Sequence, residues 1–131
     1  MKKETVYDRS RDVTILVLED DTAVLELLQR LLTIRGHIVL AARSAQEADA
    51  AMAQPVVTPD VLLTDIMVGS DNGVDYARQL KTRQPSISVI FMTGRAHRAA
   101  TALRSGLGPV LHKPFSANEL FRALDGLSLT P

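Results

Sequence analysis

Four short stretches hold the residues able to do chemistry. Glu19, Asp20 and Asp21 follow the apolar run ILVL, Asp65 ends LLTD, Thr93 and Gly94 close FMTG, and Lys113 with Pro114 sits in LHKPF. Carboxylates gathered in one place repel: two unit charges about 4 Å apart cost about 4 kcal/mol at an effective dielectric of about 20. A divalent cation relieves that repulsion. Oxygen-only ligation points to magnesium, which binds through a carboxylate or two, keeps several waters and leaves room for a phosphate oxygen. The lysine adds a mobile positive charge, Thr93 a hydroxyl donor, and Gly94 leaves space for an incoming group. A carboxylate nucleophile, a metal, a lysine and a hydroxyl together make a coherent phosphoryl-acceptor site.

These groups act together only if the chain brings them to one rim. Short, almost wholly apolar runs at 13–18, 37–42, 61–64, 88–92 and 110–112 have the pattern of strands buried on both faces of a parallel sheet. Between and after them, segments at 22–35, 44–53, 72–83, 95–104 and 116–124 carry apolar residues at helical spacing. Gly36 stops the first, Pro55 and Pro59 mark the loop after the second, and Ser44 with Glu47 and Ser116 with Glu119 match the capping-box pattern. Strict alternation predicts an α/β, doubly wound (βα)5 chain with a parallel five-stranded sheet and helices on both faces. In the flavodoxin-like strand order 2-1-3-4-5 the first and third strands are neighbours, so Asp20 and Asp65 would meet beyond their carboxyl ends.

With 131 residues the chain has the length of one domain, expected over 13–126 between a polar N-terminal lead at 1–12 and a tail at 127–131. Fifteen basic and fifteen acidic side chains leave no net charge to draw it to nucleic acid or an anionic membrane, and neither is expected as a partner. The absence of cysteine excludes disulfides, thiolate metal sites and cysteine nucleophiles. The lead lacks the apolar core of a signal peptide, and no run approaches a membrane span, so a cytoplasmic location is expected.

The motifs ILVLEDD, LLTDIM with Gly73 eight residues after Asp65, FMTG and LHKPF, in this order and each at a strand end, resemble the receiver domain of two-component response regulators. The resemblance implies that Asp65 is phosphorylated by a histidine kinase or a histidine phosphotransfer protein. It implies Mg2+, or Mn2+ in its place, held by Asp20, Asp65 and the backbone carbonyl of Met67, with Glu19 reaching it mainly through water. Thr93 would hydrogen-bond the phosphoryl group, Lys113 would pair with it, and Pro114 would shape the turn after Lys113. Such a domain is not an enzyme acting on others; it catalyses its own phosphorylation and slow dephosphorylation and signals to a downstream output protein. No output module is expected within the 131 residues, and a fragment of a hybrid histidine kinase is the alternative origin.

Two departures from the family pattern stand out. Gly69 replaces a proline four residues after Asp65, which implies a more mobile loop. Val110 occupies the switch position, where many receivers carry an aromatic that moves with the threonine. That keeps open a second reading, an interaction module with the receiver fold that works without phosphorylation. A flavodoxin is disfavoured because the acidic EDDTA would repel phosphate, and an aspartate-nucleophile phosphatase because Met67 stands where a second aspartate belongs.

Other polar residues have plainer readings. Asp71 and Asn72 are expected to begin the third helix, Asp21 to sit beside the first, and His37, His97 and His112 to be surface or strand-end residues without ligand spacing. Leu25 is expected to leave an apolar remnant on the first helix for a partner, and Arg95, Arg98 and Arg104 to form a solvated face.

Overall fold

The computed structural model describes residues 13–53 and 56–127; the lead at 1–12, Gln54, Pro55 and residues 128–131 of the expected tail lie outside the described residues. The element order is β1 Thr14–Leu18, α1 Thr22–Ile34, β2 Ile38–Ala42, α2 Ala45–Ala53, β3 Val61–Asp65, β4 Met67–Val68, β5 Asp71–Asn72, α3 Gly73–Arg83, β6 Ser88–Thr93, α4 Ala96–Ser105, β7 Val110–His112 and α5 Ala117–Asp125. Five strands pair in parallel in the order β2-β1-β3-β6-β7, the arrangement expected for the five apolar runs.

Alternate residues of each strand face opposite sides of the sheet, and the core divides accordingly. Leu16, Leu18, Leu62 and Phe91 pack with Ala48 of α2, Ala77 and Leu80 of α3, and Ala102 of α4. Ile15, Val17, Leu63, Ile90 and Met92 pack with Leu25, Leu28 and Leu32 of α1 and with Leu120 and Leu124 of α5. The row Leu25, Leu28, Leu32, spaced by three and four, is therefore the one that α1 turns inward. This corrects the expected outward remnant: Leu25 is 7% exposed, and the large apolar side chains that α1 leaves outside are Leu27, at 52%, and Ile34 at its end, at 81%. Arg35 closes the far end of this layer by a two-pronged ion pair to Asp125 at 3.0 Å while stacking over Phe121, which ties α1 to α5.

The loop after β3 holds more structure than its sequence suggests. Met67↔Asn72 and Val68↔Asp71 pair as a two-residue-per-strand antiparallel hairpin. Its tight turn is led by Gly69 at φ +60°, as a type II′ hairpin turn requires. Asn72 caps α3 by accepting from the Val74 and Asp75 N–H groups. Asp71 does not take part in that helix start; its Oδ2 accepts from the Ala45 N–H at 2.9 Å and so caps α2, 26 residues away. Among the described residues no helix is long and apolar enough to cross a membrane.

Candidate functional site

The carboxyl ends of β1, β3 and β7 converge. Lys113 Nζ, at the end of β7, donates to Glu19 Oε1 at 2.5 Å and to Asp65 Oδ2 at 2.7 Å, bridging β1 to β3. The Glu19 side chain is 1% exposed and its other oxygen accepts from the Asp21 N–H. Burial pushes the Glu19 carboxyl above its ordinary range, against the pull of Lys113. For Lys113, burial alone would lower the pKa, but the hydrogen bonds to Asp65 and Glu19 outweigh it and hold the ammonium above its usual value. Asp20 faces solvent, and its Oδ2 accepts from the Gly69 N–H at 3.1 Å.

One oxygen from each of Glu19, Asp20 and Asp65 lies within 4.8 Å of the others. Three carboxylates against one ammonium leave two negative charges unbalanced, the deficit a divalent cation fills. All these donors are oxygens, so the residues fit a hard cation such as Mg2+.

The Asp65 backbone is held just as closely. The Thr64 hydroxyl donates to the Asp65 carbonyl at 2.8 Å, Ile66 N–H donates to Met92 O at 3.1 Å, and Gly73 N–H donates to Ile66 O at 2.7 Å. Met67 N–H points back at Asp65 Oδ1 at 3.3 Å. Gly73 is needed here, since a Cβ on it would stand 1.9 Å from the Asp65 carbonyl oxygen. Gly69 is equally constrained. A proline could neither adopt φ +60° nor supply the N–H that Asp20 accepts.

Thr93 is buried at the end of β6, one residue past the Asp65↔Met92 pair. Its hydroxyl is turned to Arg95, accepting from the backbone N–H at 3.1 Å and donating to the carbonyl at 3.4 Å. Val110 is half-buried, pairs with Phe91 and packs against the α2–α4 side of the core. Asp21 is the cap of α1, accepting from Ala23 and Val24 N–H groups. His97 and His112 are exposed, and His37 Nδ1 accepts from Val13 N–H, so no histidine joins the cluster. Sequence reasoning missed Thr64, whose only signal was a hydroxyl inside an apolar strand, and the Gly69 N–H, which gave no signal at all.

The family model for the response regulator receiver domain matches residues 15–125. The chain belongs to the receiver family. This receiver is 31% identical to the photosynthetic apparatus regulatory protein RegA of Cereibacter sphaeroides, an alignment covering 100% of the chain and 72% of that protein. It is 32% identical to the response regulator MprA of Mycobacterium ulcerans over 88% of the chain, and it spans half of that relative's length. Among solved structures it resembles a receiver domain protein from Clostridium thermocellum, with a TM-score of 0.76 and 32% identity over 86% of this chain and 90% of that one. Receivers of this family serve two-component systems as regulatory phosphoacceptor domains, work with histidine kinases and in general bind Mg2+.

Proposed function

We propose that Asp65 is the phosphoryl acceptor of this receiver, taking the group from a phosphohistidine of a histidine kinase or a histidine phosphotransfer protein. The observation that carries this reading is the bridge from Lys113 to Asp65 and Glu19, which places an ammonium on the acceptor carboxylate beside an acidic cluster sized for a cation. Asp20, Asp65 and the Met67 carbonyl would hold Mg2+ or Mn2+, with Glu19 acting through water, and the ion would neutralise charge on the phosphoryl oxygens. An Asp65 oxygen attacks phosphorus, the P–N bond to the donor imidazole breaks, and an aspartyl phosphate forms. Lys113 then pairs with the phosphoryl oxygens, and Thr93 turns from Arg95 to donate to one of them.

The chain promotes its own phosphorylation and slow hydrolysis and does no chemistry on another substrate. The working domain is 13–126, placed in the cytoplasm, and its output passes to a protein partner rather than to nucleic acid or a membrane. The added group brings about −1.5 to −2 charges to the rim. With Val110 at the switch position, the response starts from Thr93 and the α4 start, without an aromatic.

Mass spectrometry after incubation with acetyl phosphate and Mg2+ tests the reading. The folded chain gains one phosphoryl group on Asp65, and Asp65→Asn gains none. A phosphorylated Asp65→Asn variant would overturn the assignment, as would an unmodified but folded wild-type chain.

A further inference from the structure

We propose that Thr64 is a positioning residue for phosphoryl acceptance, fixing the Asp65 backbone through its hydroxyl; the proposal rests on Asp65 being the acceptor. Thr64 is 0% exposed, and the strand residues before it are a valine and two leucines. A valine has nearly the same shape and would enter this core without stripping water from a hydroxyl, so packing alone does not call for threonine. What the hydroxyl does is donate to the Asp65 carbonyl at 2.8 Å. The position explains why that matters. β1 pairs with β3 only as far as Leu18↔Thr64, so Asp65 lies one residue beyond the last paired position on that side.

The same carbonyl is covered from outside by Gly73, where a Cβ would sit 1.9 Å from the Asp65 oxygen and 2.9 Å from Thr64 Oγ1. The start of α3 and the Thr64 hydroxyl thus form a clamp around one carbonyl. A rotation of that peptide would displace the Asp65 carboxylate, and it would displace the Met67 carbonyl two residues on. In-line attack tolerates little of either, since misplacement by about 1 Å costs up to about 100-fold in rate.

The experiment compares wild type, Thr64→Val and Thr64→Ser. It reads the initial rate of phosphorylation across acetyl phosphate concentrations, thermal stability, and the 13C shift of the Asp65 carbonyl without metal or phosphate. In Thr64→Val the maximal rate falls about tenfold, with the half-saturating donor concentration unchanged, while Thr64→Ser stays within about twofold of wild type. The Asp65 carbonyl shift moves in the valine variant and returns in the serine variant. A valine variant phosphorylated at the wild-type rate overturns the proposal, as does a serine variant as slow as valine at equal stability. If Thr64→Val does not fold, Thr64→Cys, of similar volume and with only a weak donor, is read by the same criteria. Should wild type itself take no phosphoryl group, the acceptor reading fails, and the carbonyl shift alone decides whether the clamp exists.

Discussion

The loops after β3 and β6 leave the same edge of the sheet from neighbouring strands, and they are held in opposite ways. After β3, the backbone is tied at nearly every residue: Thr64 to the Asp65 carbonyl, Gly69 to Asp20, Asp71 to α2, Asn72 to α3, and Gly73 pressed on Asp65. After β6, the Thr93 hydroxyl is the side chain that holds Arg95, and Arg95, at the N-cap of α4, makes no side-chain cap bond. The other helices, α1, α2, α3 and α5, all have one. A nucleophile gains from a backbone that cannot move, whereas a group that answers a new charge must be able to leave its present partner. On the proposed roles of Asp65 as acceptor and Thr93 as the responding group, the two loops divide these requirements between them.

Four substitutions break or sharpen that contrast. Gly69→Pro has the largest effect, because it demands φ near −65° where the chain has +60° and deletes the donor to Asp20; a loss of about 3 kcal/mol is expected in urea unfolding. Gly73→Ala forces a methyl group onto the Asp65 carbonyl and costs about 2 kcal/mol by the same measurement. On the loosely held side, Arg95→Asp supplies the missing cap and places a carboxylate at the positive end of α4, raising stability by about 1 kcal/mol. Thr93→Val is the mildest, about 0.5 kcal/mol, since water reaches the exposed Arg95 and replaces the lost bond. Equal losses from Gly73→Ala and Thr93→Val would erase the distinction.

The fold was legible because each strand of the five-stranded sheet is an apolar run and each site residue ends or follows such a run, which put Glu19, Asp20, Asp65 and Lys113 on one rim from the sequence. Glu19 and Asp21 were separable because one follows directly on a buried strand and the other precedes a helix. What could not be read depended on neighbours distant in sequence. Asp71 looked like part of the α3 start because Asn72 is, but its partner is Ala45. On α1 leucines stand at 25, 27, 28, 31 and 32, too many for one face, and only the sheet chose between Leu25 and Leu27. The β4–β5 hairpin has strands too short for any periodicity to show.

The bond from Asp71 to Ala45 has a consequence for how the molecule breathes. The first turn of a helix is normally where fraying begins, yet here the Ala45 amide is held by a residue of the β4–β5 hairpin. Opening α2 from that end requires release of the hairpin, and opening the hairpin exposes α2. The expected outcome in hydrogen exchange is that the Ala45 amide and the hairpin amides open together, at a shared rate.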